Sequence, residues 1–170
     1  MKLGAHIANM YQFGYVTTDI DRACEHFHKT LGIEDFFRRE IDAVAELDGE
    51  EAPFVIRLAM ANLGEKQVEI IQPIRGVTDF YTKGLDLEGS VVALHHFGVL
   101  VNGSEAAWDE MKADLNAAGT RLVLQDQQPR PASQHFAYFD TRADYGHYLE
   151  FLWRGPEAQA FHQSMADQAR

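Results

Sequence analysis

Ala93-Leu-His-His-Phe-Gly-Val-Leu-Val101 decides the fold of this 170-residue chain, because a similar stretch occurs near the N-terminus. There, Tyr11-Gln-Phe-Gly-Tyr-Val16 aligns Gln12 with His96, and both residues are followed by Phe-Gly. Two related stretches in one chain indicate two modules built on one plan.

A second correspondence closes each module. An apolar segment with a single glutamate follows both stretches, Val-Glu-Ile-Ile at Glu69 and Leu-Glu-Phe-Leu at Glu150. Gln12 and Glu69 are 57 residues apart, and His96 and Glu150 are 54 apart. Each module therefore offers one metal-ligand type of side chain near its start and one near its end.

Module one, residues 10–73, predicts the order β-α-β-β-β. A strand covers residues 10–18, and Asp19 caps a helix that Gly32 ends, because apolar residues recur there at helical spacing. Strands are then predicted at about 33–43, about 53–62 and 66–73.

Module two, residues 93–153, follows a linker at 74–92 and predicts the same order. A strand runs from His96 to Val101, and Ser104 caps a helix that Gly119 ends. Strands are predicted at about 120–125, 134–140 and 147–153, with a proline-rich loop at 128–131. A terminal helix at 156–168 completes one domain of 1–170.

The four ligand-type residues fall on one face of the predicted sheet, since side chains alternate across a strand. The aromatic and branched residues suit the opposite face, packed under each helix: Phe13, Tyr15, Thr17, Phe97, Val99 and Val101. Buried carboxylates need a cation or water. A nitrogen and three oxygens suit Zn, Ni, Co, Mn or Fe(II). The alternative is that each strand merely carries one solvated polar residue.

The chain resembles the vicinal oxygen chelate superfamily, the glyoxalase/bleomycin resistance/dioxygenase fold, over about residues 10–153. The resemblance implies an α+β fold in which two paired βαβββ modules form a cupped mixed sheet with the helices outside. It also implies a metal held by the first and last strand of each module, at Gln12, Glu69, His96 and Glu150. Within the superfamily the chain is most similar to the methylmalonyl-CoA epimerase branch, through Asn62-Leu-Gly-Glu-Lys-Gln-Val-Glu-Ile-Ile-Gln-Pro73 and Leu94-His-His-Phe97, and to the glyoxalase I branch, through its ligand set.

The resemblance implies a metal-dependent lyase or isomerase that forms a metal-stabilised enolate of a small carbonyl or thioester substrate. Glu150 is the expected base, and Glu69 the second acid or base. The alternatives are a metal-free small-molecule binding or resistance protein and an Fe(II) extradiol-type dioxygenase. Gln12, where the dioxygenases have a histidine, argues against ring cleavage. Val16 and Pro73 replace the glutathione-binding residues of glyoxalase I and argue against glutathione.

The composition of the chain restricts the kinds of molecule that the protein is expected to bind and where it is expected to reside. A formal charge of −11 argues against nucleic acid, because a phosphate-binding surface needs clustered cations. No apolar run reaches the length of a membrane span, and the start of the chain lacks a secretory signal. The single cysteine, Cys24, excludes an intrachain disulfide. We expect a cytoplasmic protein that takes a small-molecule substrate and forms a homodimer.

Other polar residues receive structural interpretations. His95 is expected on the face opposite His96, and Cys24 with His28 in helix packing. Asp140 and Arg142 are expected to pair in a turn. A contact of Arg142 with an anionic substrate stays open, as does the role of His147. Tyr148 is expected on the pocket face, and Phe136 and Tyr138 share one face of a strand that could line the pocket, although either could instead belong to the core.

Overall fold

The computed structural model describes residues 3–127 and 133–168, and these form eight strands and six helices. The strands are β1 (Met10–Val16), β2 (Phe37–Leu47), β3 (Glu50–Leu63), β4 (Lys66–Gly76), β5 (Ala93–Leu100), β6 (Arg121–Asp126), β7 (Gln134–Asp140) and β8 (Tyr148–Arg154). The helices are α1 (Leu3–Ile7), α2 (Ile20–Leu31), α3 (Thr78–Thr82), α4 (Glu105–Ala117), α5 (Arg142–Tyr145) and α6 (Pro156–Gln168). The predicted order therefore occurs twice, as β1-α2-β2-β3-β4 and β5-α4-β6-β7-β8.

The eight strands close into a barrel in the order β1-β4-β3-β2-β6-β7-β8-β5. In each module the first strand runs parallel to the last, and the other pairs are antiparallel. The modules meet at two antiparallel seams, β1 with β5 and β2 with β6. The α+β class and the mixed sheet are confirmed. The expected cupped sheet is closed into a barrel by the second seam, β2 with β6.

Three apolar clusters hold the barrel together. One lies between α2 and the strands of module one, and includes Phe27 and Ile70. A second lies under α4 and includes Trp108 and Phe151. The third fills part of the barrel interior. Burying side chains of this size contributes about 1.5–3 kcal/mol each, so the clusters account for why the helices cover the outside.

The helix ends follow the local chemistry, with one exception. Asp19 caps α2 by accepting hydrogen bonds from the backbone N–H groups of Asp21 and Arg22, and Gly32 ends that helix with φ 69°. Ser104 occupies the N-cap position of α4 as predicted, but its side chain makes no capping hydrogen bond.

The β2–β3 hairpin corrects two predicted boundaries. The strands cover Phe37–Leu47 and Glu50–Leu63 instead of about 33–43 and about 53–62. A two-residue turn joins them, and both its residues, Asp48 and Gly49, have positive φ, at 51° and 87°. An Asp-Gly pair is the typical sequence of such a turn, because it tolerates this backbone conformation.

The remaining segments complete the picture. A turn of helix, α3, lies in the predicted linker, and the terminal helix α6 has its predicted bounds. The proline-rich loop predicted at 128–131 lies outside the described residues. In the described part of the chain, no helix combines the length and apolar character that crossing a bilayer requires.

Candidate metal centre

The seam between β1 and β5 places the two related stretches face to face. Gln12 pairs with Gly98, Phe13 with Phe97, and Gly14 with His96. The two phenylalanine rings meet edge to face with 5.6 Å between their centroids. The repeated sequence therefore forms a local pseudo-twofold centred on the phenylalanine pair.

The glycines of this repeat make room for the ligands of the other module. A Cβ atom on Gly14 would lie 1.9 Å from the Cε1 atom of His96, and one on Gly98 would lie 2.5 Å from the Oε1 atom of Gln12. Neither distance is sterically allowed. The Phe-Gly sequence is thus explained by close approach of a neighbouring side chain.

Three ligand-type side chains converge inside the barrel. His96 Nε2 lies 3.2 Å from Glu69 Oε2 and 3.3 Å from Glu150 Oε2. One ligand atom from each of the three residues lies within 4.8 Å of the other two. All three are buried, with exposed fractions of 0% for His96, 9% for Glu69 and 6% for Glu150. We call this group the cage.

Gln12 shares the inner face with the cage and is 2% exposed. Its Nε2 donates a 2.8 Å hydrogen bond to Gln67 Oε1, and Gln67 in turn donates to Asn62. Because the Nε2 atom of Gln12 is used in this hydrogen bond, its Oε1 atom is the one left free to coordinate a metal. The four expected ligand residues are therefore all buried on one face, although Gln12 is not within the tight trio.

Three buried polar atoms at the cage indicate what kind of group it can bind. His96 Nε2, Glu150 Oε2 and Gln12 Oε1 are buried without a hydrogen-bond partner. Each unsatisfied group costs about 1–3 kcal/mol, so three in one place call for a common partner. One imidazole nitrogen and three oxygens are a suitable donor set for a divalent transition metal. The residues present fit such an ion.

The electrostatics of the cage also suit a bound cation. Burial raises the pKa of Glu69, and the neighbouring charge of Glu150 raises it further. Burial alone would lower the pKa of His96, but the neighbouring carboxylates of Glu150 and Glu69 raise it to about 9. In the absence of a metal, a proton on His96 partly neutralises the two carboxylates.

His95 corrects the expectation that the two histidines lie on opposite faces. The register shifts between Gly14–His96 and Tyr15–Leu94, so His95 is the extra residue of a β-bulge. Its side chain is 3% exposed, and its Nδ1 lies 3.1 Å from the Nδ1 of His96. The prediction assumed a regular strand, and the bulge breaks the alternation.

The bulge also determines which nitrogen of His96 faces the cage. His95 Nε2 lies 3.2 Å from the carbonyl oxygen of Phe80, which can only accept, so this nitrogen carries a hydrogen. Burial and the charge of His96 lower the pKa of His95, which keeps it neutral and makes its Nδ1 an acceptor. The Nδ1–H of His96 therefore donates to His95, and Nε2 points at Glu69 and Glu150.

A second bulge lies at the equivalent place in module one. Met10 pairs with Val99 and Gln12 with Gly98, so Tyr11 is the extra residue. The hydroxyl oxygen of Tyr11 accepts a 2.7 Å hydrogen bond from Arg154 Nη2, and the guanidinium carbon lies 4.8 Å from the Tyr11 ring centroid. Sequence analysis assigned no role to Tyr11 or Arg154. Tyr11 directly precedes the candidate ligand Gln12, just as His95 directly precedes His96.

The cage opens onto a cavity of about 470 Å³ inside the barrel. Gln12, Glu69 and Glu150 line it together with an apolar wall that includes Phe136 and Tyr138, so these two aromatic residues do line the pocket. Helix α6 forms part of the lining through residues 157, 158, 161 and 162. The helix predicted as a simple terminal element thus borders the candidate site.

Tyr138 lies opposite Glu150 in the β7–β8 register. Burial, the charge of Glu150 and the charges of nearby groups raise the pKa of Tyr138, so its hydroxyl stays protonated at neutral pH. Burial also raises the pKa of Tyr81, which lines the same cavity. The cage therefore has neutral hydroxyl donors beside its carboxylates.

The other residues considered from sequence lie away from the cage. The expectation that Tyr148 lies on the pocket face was wrong, because its ring is buried against Phe80 and His95 and does not border the cavity. Arg142 donates to both carboxylate oxygens of Asp140, as expected, and stacks over Tyr148. Cys24 packs in the core under α2, and His28 Nδ1 lies 3.0 Å from the carbonyl oxygen of Ile33. His147 Nδ1 lies 2.8 Å from the carbonyl oxygen of Tyr148.

Comparison with known proteins agrees with this geometry. Residues 11–139 match the family model of the glyoxalase/bleomycin resistance protein/dioxygenase superfamily. The chain belongs to this superfamily. Its members usually bind a divalent metal. No curated protein sequence matches the chain.

Solved structures share the fold at low identity. Methylmalonyl-CoA epimerase from Mycobacterium tuberculosis aligns with a TM-score of 0.59 and 18% identity, over 94% of this chain and 97% of its own. A hypothetical protein from Bacillus halodurans C-125 aligns with a TM-score of 0.55 and 14% identity, over 86% and 94%. A variant of Streptomyces coelicolor methylmalonyl-CoA epimerase in complex with 2-nitronate-propionyl-CoA aligns with 0.55 and 15%, over 87% and 95%. At these identities the likeness establishes the fold alone.

Proposed function

We propose that the protein is a metal-dependent lyase or isomerase that forms an enolate from a small carbonyl or thioester substrate. The observation that carries this proposal is the convergence of buried, unpaired ligand atoms from both modules on one point. Gln12, Glu69, His96 and Glu150 are the proposed ligands. A divalent metal bound there supplies a Lewis acid for the developing negative charge of the enolate.

The chain's own groups divide the proton transfers. Glu150 takes the proton from the carbon next to the substrate carbonyl, which contributes about 10²–10⁴-fold to the rate for a well-placed base. The Tyr138 hydroxyl lies across the strand pair from Glu150, and its raised pKa keeps a proton that it can donate to that carboxylate. Glu69, whose pKa is raised by burial, is suited to hold a proton and return it.

The two carboxylates come from opposite modules, which bears on the type of reaction. If Glu150 and Glu69 act on opposite sides of one carbon, removal and return of the proton invert its configuration, and the reaction is an epimerisation. If only one carboxylate exchanges protons with the substrate, the outcome is an isomerisation or an elimination. The ligand in the Streptomyces coelicolor structure, 2-nitronate-propionyl-CoA, is a coenzyme A derivative, so thioesters belong among the first substrates to test.

Two measurements test the proposal together. Protein purified without chelator is analysed for metal, and solvent deuterium exchange is measured into a panel of 2-oxo thioesters, hemithioacetals and hydroxyketones. We expect stoichiometric metal, exchange into at least one compound, and loss of exchange in Glu150→Gln and Glu69→Gln. Glu40→Gln is the matched control, because Glu40 is exposed on β2 and pairs with Arg57. The proposal fails if the protein carries no metal and Glu150→Gln changes neither metal content nor exchange.

The apolar part of the cavity favours a second candidate, a metal-free binding protein for an aromatic small molecule. Its lining includes Phe54, Phe136 and Tyr138 beside several aliphatic side chains. Thermal unfolding with and without EDTA separates the two candidates, since a metal that binds only the folded state stabilises it. A fall in the melting temperature on chelation supports the metal enzyme, and an unchanged value supports the binding protein.

We also retain the predictions of a homodimer and of a cytoplasmic location. Sedimentation of the purified protein checks the first, and fractionation of the source cells checks the second.

A further inference from the structure

Two cavities meet at the side chains of Tyr11, Arg154 and His162, which line both of them. The first is the barrel cavity that contains the cage. The second, also about 470 Å³, lies on the other side of these residues and is bordered by polar groups, among them Asn62, Gln67 and Asn102. We call the shared residues Tyr11, Arg154 and His162 the junction.

We propose that the junction binds an anionic oxygen group of the substrate, a phosphate or a carboxylate, while the carbonyl end of the same molecule occupies the cage. This inference rests on the proposed function and narrows its substrate class to amphiphilic anions. The molecule would have an apolar part in the barrel cavity and a charged group at the junction.

The guanidinium of Arg154 has an unused donor. Its Nη2 donates to the Tyr11 hydroxyl, but its Nε is buried and has no hydrogen-bond partner. A buried unsatisfied donor is costly, and an oxyanion can accept from two nitrogens of one guanidinium at once. The Tyr11 oxygen acts as the acceptor for Arg154, so its own hydrogen remains available to the same oxyanion.

The local charge also favours an anion. Arg39 borders the barrel cavity along with Arg154, and among the described residues neither arginine forms a salt bridge. Burial and the charges of Arg154 and Arg39 lower the pKa of His162 to about 4, which places both arginines close to this histidine. A divalent ion would balance the two cage carboxylates, and in the described part of the chain the other carboxylates that line the two cavities, Glu157 and Glu65, form no salt bridge with either arginine. These two arginines lie together in a chain whose net charge is −11.

The position of Tyr11 is what brings this group next to the cage. Because the bulge in β1 makes Tyr11 the extra residue before Gln12, two consecutive side chains serve adjacent parts of one cavity. One contributes to the proposed metal site and the other to the proposed anion site. A substrate that contacts both is held at two points, which orients its reacting carbon.

The test uses three probes with one eight-carbon chain: octyl phosphate, octanoate and neutral octanol. Binding is measured by calorimetry on the full-length protein as purified and after EDTA treatment. We expect an anionic probe to bind at least tenfold more tightly than octanol, and Arg154→Gln to remove this preference. Arg154→Lys, which keeps the charge, should recover part of it. Arg57→Gln, an exposed arginine on β3 that pairs with Glu40, should leave it unchanged.

The outcomes separate the possible failures. A preference that Arg154→Gln abolishes identifies the bound group, phosphate if octyl phosphate binds more tightly and carboxylate if octanoate does, whereas a preference for octyl phosphate that Arg154→Gln leaves unchanged overturns the inference. Octanoate binding that needs the metal but ignores Arg154→Gln places the anion on the cage and overturns the inference. Equal binding of all three probes also overturns it. If the purified protein carries no metal, the proposed function fails, yet the dependence on Arg154 can still be read in that protein.

Discussion

Module one and module two each insert one extra residue directly before the ligand on their first strand, but the two inserted residues have different surroundings. In module two, His95 is buried among aromatic rings, including Phe80 and Tyr148, and contacts the ligand His96. In module one, Tyr11 borders two cavities and contacts Arg154. The pseudo-twofold of the seam sets the positions of the ligands, whereas the inserted residues differ in what they contact, His95 a ligand and Tyr11 an arginine between two cavities.

The glycines of the seam allow the strongest test of this comparison. We expect Gly14→Ala to abolish metal binding and to lower the free energy of unfolding by about 3 kcal/mol or more, since a strand-held imidazole ring occupies the place of the new methyl group. We expect Gly98→Ala to cost about 2 kcal/mol, less than Gly14→Ala, because the new methyl group meets the flexible end of the Gln12 side chain but also lies 2.8 Å from Gln12 Cβ, which moves only with the backbone. Urea unfolding checks both values.

Gly4→Ala serves as the control for these variants, because no atom lies within 4 Å of a Cβ placed there. Equal losses in Gly14→Ala and Gly98→Ala would contradict the steric asymmetry between the two modules.

The titration of His96 provides the next largest effect. Its pKa in the folded protein is about 9, above the ordinary value of 6.5. The proton therefore stabilises the metal-free protein fully below pH 6.5, and this stabilisation is lost as the pH rises through 9. The expected loss is of the order of 3 kcal/mol. Urea unfolding of EDTA-treated protein at pH 6 and pH 10 measures it.

His96→Gln is the matched variant for this titration, since it removes the ionisable group and keeps a polar side chain. Its unfolding free energy should vary less between pH 6 and pH 10 than that of the wild type. An equal variation in both proteins would assign the pH dependence to other groups.

The two inserted residues should differ in their effect on metal affinity. We expect His95→Phe to weaken metal binding about 10–100-fold, because the hydrogen bond that orients His96 is lost. We expect Tyr11→Phe to change metal affinity less than twofold, because the hydroxyl contacts Arg154 and none of the cage residues. Competition with a chelator of known affinity measures both. A similar loss in the two variants would mean that both inserted residues support the ligands.

The helix caps should give the smallest difference between the modules. Asp19→Ala is expected to cost about 1 kcal/mol, because Asp19 accepts two backbone hydrogen bonds at the start of α2. Ser104→Ala is expected to cost less than about 0.5 kcal/mol, because Ser104 makes no such bond at the start of α4. Thermal or chemical unfolding of the two variants resolves the difference.

Strand alternation accounts for most of what could be predicted about the site. Because side chains alternate across a strand, the positions of Gln12 and Glu150 in their segments were enough to place them on a common inner face. The same rule misplaced His95, since one extra residue in a strand reverses the face of the side chain and leaves no local mark in the sequence. The error at the β2–β3 turn had another cause. The Asp48-Gly49 pair is typical of a two-residue hairpin turn, but the strand boundaries were predicted without using it.

Arg154 and α6 could not be assigned to the site from the sequence. Arg154 is the last residue of β8, and it reaches Tyr11, 143 positions away, because β5 pairs with both β8 and β1. Helix α6 borders the cavity because it begins two residues after β8 and turns over the barrel opening. Contacts between distant segments of this kind depend on the complete fold and not on any local pattern.

By itself the sequence determined the two-module plan, the order of elements and the identity of the four candidate ligands, because repeats and alternation are local properties of the chain. Tertiary structure alone decided that the barrel closes, that His95 orients His96, and that Tyr11 and Arg154 lie beside the cage. The physical reason is that bulges and strand pairing are settled by packing across the seams, where each residue's position depends on its neighbour in the other module.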